Sequence, residues 1–366
     1  MLLLTTYFTL WFLILAASTL LFWVRRRPAP APLPQPWPRV SILIAARNEE
    51  AAIGRCLRAI RALSYPPELV EVLLGDDAST DQTRAVAEAV MPGYTGNFRC
   101  ITITEPLGLA RGKANVLAHL ARAATTEFFF ITDADIAVPT GWVQGLLPFA
   151  QPEVGTVTGL TVVEGPRLFD RLQGLDWLQS LGLVQVVSDF GRPVTAMGNN
   201  MLVTRAAYEA TGGYEQLPFS VTEDYALFQA VLKQGFTFRN VFRPEVLAAS
   251  LPISTPGRLL HQRRRWMQGV EALPWWLQGG LLFYAGFYPL LLVLAWVAGP
   301  LAAVSVLAAK MLLQGLLAAA CYHRAGRRMP WHLLPAFELY TIALTISLSV
   351  FRLLPLAFDW KGRVYK

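Results

Sequence analysis

The sequence predicts an α/β domain built on a mostly parallel, doubly wound sheet, with transmembrane helices at both ends of the chain. Between residues 40 and 135, short apolar runs of strand length alternate with stretches of helical spacing, the pattern of strand–helix repeats. Met1 to Val24 holds no charged residue and is long enough to cross a bilayer as a helix. Beyond residue 280 long uncharged runs return. The 366 residues are 54% hydrophobic and only 16% charged, with a mean hydropathy of +0.39, too apolar for an ordinary soluble chain. The excess sits at the ends, and the middle is long enough to bury a core of its own.

Taken in order, Met1–Val24 ends in Arg25-Arg26-Arg27. A cleaved signal peptide carries its positive charge before the apolar run, so residues 1–24 read as an uncleaved anchor whose C-terminal end is cytoplasmic. Residues 25–38 form a Pro-rich linker, since Pro28 to Pro38 cannot continue a helix. Val40 to Ala46 reads as the first buried strand, with Arg47-Asn48-Glu49-Glu50 at its exit. Asn48 is expected to cap a helix carried by Ile53, Leu57, Ile60 and Leu63 and closed by Pro66-Pro67. Val70 to Leu74 is the second strand, followed by Gly75-Asp76-Asp77. Ser79 or Thr80 is the expected cap of the helix that holds Val86 and Val90. Arg99 to Thr104 alternates like a third strand, and Gly108 to Lys113 is a loop leading to a helix with Val116, Leu117 and Leu120.

Phe128-Phe129-Phe130-Ile131 then reads as a strand apolar on both faces, ending in Thr132-Asp133-Ala134-Asp135. In open α/β sheets the ligand crevice lies at the carboxyl ends of the strands. Two carboxylates one residue apart at such an end are hard oxygen ligands suited to Mg2+ or Mn2+ carrying a diphosphate. An Asp-rich turn is the plain alternative for that tripeptide alone. For Lys113, a phosphate contact at a helix start competes with a solvated surface lysine. Three polar clusters on one sheet edge, however, describe a nucleotide crevice.

Further on, Val154 to Val163 reads as an irregular strand and Arg167 to Val187 as a long amphipathic helix. Asp224 stands at the start of a helix with Ala226, Leu227, Ala230 and Val231, where capping would explain it. Pro256 to Gly269 should be a basic helix with Trp266 at its edge, lying against a membrane.

Ser41 to Glu49, Asp76 to Asp81, Gly112 to Asn115, Asp133 to Asp135, Thr222 to Asp224 and Gln262 to Trp266 stand in an order that resembles family-2 glycosyltransferases of the GT-A fold. Ceramide glucosyltransferase-like and other lipid-directed members share this layout. The resemblance covers the middle of the chain, and six weak motifs in sequence make it specific. It implies that Ala45, Arg47, Glu49, Asp76 and Asp77 hold the nucleoside and that Lys113 lies near the base or phosphates. It implies Asp133 at the ribose or the metal, Asp135 as the direct metal ligand, and Asp224 as the base, with Glu223 helping to place the hydroxyl. Gln262, Arg265 and Trp266 would line the acceptor and diphosphate side, Arg265 on phosphate and Trp266 against a sugar.

Domain boundaries follow: the anchor at 1–24, the linker at 25–38, the catalytic domain at 39–255, an interfacial helix at 256–276 and a membrane region at 277–366 with two to three spans. Spans are expected near 280–298 and 301–322, with Gly299-Pro300 between them and a cytoplasmic loop at His323 to His332. Lys310 fits badly, since a charge at that depth is costly unless it faces protein or water. Glu338, Arg352 and Pro355 interrupt the last apolar run, so a crossing and a kinked, re-entrant segment both stand open. The net charge of +7 comes from 32 basic against 25 acidic residues, and the basic clusters lie beside apolar spans. Anionic lipid explains that better than nucleic acid. Cys56, Cys100 and Cys321 have no metal spacing and read as reduced thiols.

The expected function is an inverting, metal-dependent transfer of sugar from a nucleotide sugar, a UDP-sugar by the resemblance, to a membrane lipid at the cytoplasmic face. A processive polysaccharide synthase is the near alternative, and a non-catalytic membrane scaffold the distant one.

Overall fold

The computed structural model describes residues 1–25, 29–270, 273–353, 358–360 and 363–365. Arg26, Arg27, Pro28 and Pro355, on which parts of the linker and topology expectations fell, lie outside the described residues. The chain begins with α1 (Leu2–Val24), β1 (Val40–Ala46), α2 (Ile53–Arg61), β2 (Val70–Asp76), α3 (Thr83–Val90) and β3 (Asn97–Thr102). It continues with α4 (Lys113–Ala123), β4 (Phe128–Asp133), β5 (Ile136–Ala137), α5 (Trp142–Leu146), β6 (Val154–Thr158), β7 (Leu160–Val163) and α6 (Leu168–Ser188). Next come β8 (Asn200–Thr204), α7 (Arg205–Ala210), α8 (Glu223–Lys233), β9 (Thr237–Asn240), β10 (Leu247–Ser250) and α9 (Pro256–Val270). The last elements are α10 (Trp275–Ala285), α11 (Phe287–Ala298), α12 (Pro300–Arg324), α13 (Leu334–Leu353), β11 (Phe358–Trp360) and β12 (Arg363–Tyr365). Packing divides the chain into two compact units: Met1–Arg27, Gly165–Val194 and Ile253–Lys366 in one, Pro28–Glu164 and Thr195–Pro252 in the other.

In the second of these units the described strands form a seven-stranded sheet of order β3-β2-β1-β4-β8-β6-β9 and a three-stranded sheet of order β5-β10-β7. β3, β2, β1 and β4 run parallel, as apolar runs linked by helices should. β8 runs against both β4 and β6. The registers align the polar exits: Ala45 lies opposite Gly75 on one side and Asp133 on the other, and Ala46 opposite Asp76. The expected irregular strand at 154–163 is two strands, one in each sheet, parted at Gly159. The buried Asn200 amide fills that corner, donating to the carbonyls of Leu160 and Val246 at 2.8 and 2.9 Å and accepting from Trp142 Nε1 at 2.8 Å.

The helices of the other unit include, among the described residues, four that are long and apolar enough to cross a membrane: Leu2–Val24, Trp275–Ala298, Pro300–Arg324 and Trp331–Val350. The last apolar run is a continuous helix through Leu353. α6 packs among these helices through Leu172 and Leu175, which cluster with Ala318, Leu333 and Phe337. Its polar positions are used too. Gln179 accepts from Gln314 at 3.2 Å, and Gln173 both donates to and accepts from the Ile253 backbone, at 3.0 and 3.1 Å.

The misfit of Lys310 has a partner. Its ammonium is buried in α12 and donates to both carboxylate oxygens of Glu338 on α13, at 2.8 and 2.6 Å, and to the Tyr288 hydroxyl on α11 at 2.9 Å. Tyr288 in turn donates to Glu338 at 2.9 Å. A charge in apolar surroundings is tolerated when it is paired and hydrogen-bonded. Lys310→Met or Glu338→Leu alone strands the other charge and should destabilise the helical unit by about 3 kcal/mol or more. The double substitution should recover most of that loss, as read from unfolding transitions of the detergent-solubilised protein.

Candidate functional site

The carboxyl ends of β1, β2 and β4 deliver Arg47, Asp77 and the Asp133–Asp135 pair to one edge of the sheet. The loops after β1 and β2 are stitched together rather than capped locally. Asn48 takes φ 53° and Ala78 φ 50°, the left-handed region that Asn tolerates best among non-glycine residues. From that position the Asn48 carboxamide accepts from the Thr80 amide at 2.9 Å, and the Asn48 amide donates to Ser79 Oγ at 3.0 Å. The helix expected at Asn48 therefore starts later, at Ile53. Ser79 and Thr80 do not cap α3 either, and Asp81 accepts from the Thr83 amide at 2.9 Å instead.

Arg47 Nη1 donates to the Asp77 carbonyl at 2.6 Å, and its guanidinium lies 3.7 Å from the Asp77 carboxylate. Asp76 is buried and accepts from the Ser79 amide at 3.1 Å, which gives it a structural duty in the turn. Glu49 contributes its amide to Thr83 Oγ1 at 2.7 Å. Ala45 sits within the β1 ladder beside Asp133.

Lys113 opens α4 behind Gly112, whose φ is 57°. The preceding loop is pinned by Asn115, which accepts from the Leu107 amide at 2.7 Å and donates to the Glu105 carbonyl at 2.9 Å. A cation at a helix N-terminus opposes the dipole, so this position needs acids around it. It has them: Nζ lies 2.6 Å from Asp133 Oδ1 and 2.8 Å from Glu223 Oε1. Burial alone would lower the Lys113 pKa, but Asp133, Glu223 and Asp224 together outweigh it and raise it, so the ammonium stays charged.

Glu223 and Asp224 open α8, where carboxylates suit the helix dipole. Asp224 is more than an end residue of that helix. Its Oδ2 accepts from the Gly198 amide at 2.9 Å and its Oδ1 from the Tyr225 amide at 2.8 Å. Although the residue keeps some solvent access, protein atoms crowd the carboxyl. That burial, and then the charge of Glu223, push its pKa up to about 6, against the opposing pull of Lys113 and the two amides.

The structure thus brings Lys113, Asp133, Glu223 and Asp224 together. Sequence reading missed Gly198: a Cβ there would stand 2.6 Å from Asp224 Cβ and 2.8 Å from its Oδ2. Its signal was the glycine opening the Gly198-Asn199-Asn200 run. It also missed what lies behind the Asp-x-Asp segment. Arg55 Nη1 donates to the carbonyls of Asp135 and Ala249, each at 3.1 Å, and the Cys56 thiol donates to the Asp133 carbonyl at 3.6 Å. Burial, then the nearby acids, push that thiol well above its ordinary pKa, so it keeps its proton.

Among the described residues no three His, Cys, Asp or Glu side chains gather as a metal-binding group. Asp133 and Asp135 can still offer two hard oxygens. A divalent cation there would take its remaining ligands from phosphate oxygens and water, the manner in which Mg2+ is commonly held. In the other unit, Gln262, Arg265 and Trp266 lie half-buried on α9. The Trp266 ring meets Trp177 edge-on at 5.1 Å, and the Arg263 guanidinium lies 4.7 Å from its centroid while pairing with Asp176.

Comparison with known proteins agrees with this construction. Beta-monoglucosyldiacylglycerol synthase of Synechocystis sp. is 27% identical over 236 residues, which cover 64% of this chain and 48% of that protein. Poly-beta-1,6-N-acetyl-D-glucosamine synthase of Staphylococcus epidermidis is 24% identical over 239 residues, covering 63% of this chain and 54% of that one. The chain spans about half the length of the curated relatives it matches. The mannosyltransferase PcManGT from Pyrobaculum calidifontis, solved with GDP-Man and Mn2+, superposes with a TM-score of 0.62 at 23% identity, over 96% of this chain and 97% of that one. That likeness establishes the GT-A fold. A model of the family described as "glycosyltransferase like family 2" matches residues 38–269, more than half of the chain, and the protein belongs to that family.

Proposed function

We propose that the protein transfers a sugar from a nucleoside-diphosphate sugar, a UDP-sugar in the first instance, to a hydroxyl of a membrane lipid, with inversion at the anomeric carbon. The observation that carries this is the meeting of Lys113 with Asp133 and Glu223 beside Asp224. It sets Asp133, one of the two aspartates proposed to hold a divalent cation, next to a carboxylate whose pKa suits a base. Four bilayer-length helices and the similarity to a glucolipid synthase favour a lipid acceptor. Arg25 and the arginines between residues 324 and 328 flank apolar spans, which favours a cytoplasmic catalytic unit.

In this mechanism Arg47, Glu49 and Asp77, with Ala45 and Asp76 in the walls, hold the nucleoside at the ends of β1 and β2. Asp224 takes the proton of the acceptor hydroxyl while that oxygen bonds to the anomeric carbon and the bond to the diphosphate breaks. The Gly198 and Tyr225 amides fix the plane of its carboxylate. Lys113 keeps Asp133 and Glu223 from repelling one another and holds Glu223 beside the base. Asp135 and Asp133 would hold Mg2+ or Mn2+, which would neutralise charge on the departing diphosphate. Gln262, Arg265 and Trp266 keep their proposed acceptor-side role from the family resemblance alone. A processive polysaccharide synthase is the second reading, favoured by the similarity to the poly-N-acetylglucosamine synthase.

Detergent-solubilised protein incubated with labelled nucleotide sugars and total lipid, with and without Mn2+, should yield a labelled, chloroform-soluble product. A high-molecular-weight, water-soluble polymer would move the assignment to the synthase. Asp224→Asn should lower kcat by about a hundred- to ten-thousand-fold, the worth of a general base, with nucleotide binding retained. Gly198→Ala, which drives a methyl against Asp224, should cost about a hundredfold in kcat. Because Asp224 must be unprotonated to act, kcat/KM should fall roughly tenfold per unit below about pH 6. Glu223→Gln removes a charge that raises the Asp224 pKa, so it should move this acid limb to lower pH.

A further inference from the structure

The Asp-x-Asp segment is held from behind by one helix. Asp133 ends β4, Ala134 is buried and Asp135 precedes the two-residue strand β5. So short a connection fixes little by its own ladder. Two neighbouring side chains on α2 reach both backbone carbonyls of the pair. Arg55 Nη1 donates at 3.1 Å to the Asp135 carbonyl and at 3.1 Å to the Ala249 carbonyl on β10, the strand that pairs with β5. The fully buried Cys56 thiol donates to the Asp133 carbonyl. The two donors thus bracket the Asp133–Asp135 segment along the backbone.

We infer that Arg55 and Cys56 are positioning residues that orient Asp133 and Asp135 for a divalent cation; this rests on the metal reading proposed above. Neither side chain touches the cation. Each acts on the carbonyl of a ligand residue, and Arg55 also ties that residue to the β5–β10 pair. Two carboxylates one residue apart bind a cation together only if both are held in a shared geometry. Partners one step behind a metal ligand carry a substantial share of metal affinity. Arg58 lies one turn further along α2 and is exposed, which makes it a matched control.

Mn2+ binding to the full-length protein in detergent is counted by the loss of the free-ion electron paramagnetic resonance signal, with UDP present and with GDP in a parallel series. Arg55→Gln and Cys56→Ala should each weaken Mn2+ binding by about tenfold, the lower edge for loss of an outer-shell partner. Cys56→Ser, which retains a donor, and Arg58→Gln should stay within about twofold of the unsubstituted protein. If Arg55→Gln and Cys56→Ala bind Mn2+ as tightly as the unsubstituted protein, the positioning role is overturned. It is also overturned if all four variants lose affinity alike, since that is a loss of the fold. If the unsubstituted protein binds no Mn2+ with either nucleotide, it is the metal reading itself that falls, and the inference goes with it.

Discussion

Lys113 is the side chain on which the site depends. It draws together acids delivered by separate parts of the fold: Asp133 from the end of β4 and Glu223 from the start of α8. Asp224 is near enough for its charge to be felt. Buried and half-buried carboxylates in such proximity repel strongly, because the local dielectric is far below that of water. The ammonium offsets this repulsion, and its own awkward place at a helix N-terminus is accepted only because the acids surround it. The balance stops short of neutralising Asp224 fully. With burial and Glu223 on one side and Lys113 and two amides on the other, its pKa settles near that of a usable base.

The parts of this architecture that are local in sequence could be read from it. The strand 128–133 is apolar on both faces because it lies in the middle of a sheet covered on both sides, parallel to β1 and antiparallel to β8. Period and composition within eight residues suffice to show that apolar character. Asn48 shows where such reading stops. Its residue type and place suggest a cap for the following helix, yet it adopts a positive φ and bonds across to Thr80. Nothing in the neighbouring residues distinguishes the two uses of the same carboxamide. Gly198 and Asp224 illustrate the same limit, since a close approach between a loop and a helix start leaves no local pattern beyond the glycine. The pairing of Lys113 with Glu223 likewise needs the sheet to be assembled first.

Lys310 and Glu338 make the complementary case. Each is an anomaly in its own apolar run, and each was visible as one. Two anomalies of opposite sign in adjacent spans constrain one another, because a charge buried among apolar helices has few places to go. Hydrogen bonds join them through Tyr288 into a triad that ties α11, α12 and α13. Apolar packing alone would specify the rotation of these helices weakly, since lipid tails compete with leucine for the same surfaces. A single hydrogen-bonded ion pair fixes that rotation far more sharply.

The basic helix α9 separates in the same manner into packing and function. From the sequence, its arginines could serve a membrane surface or a phosphate equally well. Arg263 is committed to packing: it pairs with Asp176 on α6 and covers the Trp266 ring, which Trp177 meets at its edge. An aspartate on a helix otherwise packed among apolar side chains is explained by that pairing. The Trp266 indole, with one face under a guanidinium and an edge against another indole, is held rigidly within its own unit. A rigid aromatic loses little conformational entropy when a second surface is laid on what remains of it. The interfacial and ligand-facing readings of α9 therefore need not compete for the same side chains, because Arg263 supplies the anchoring that either would require.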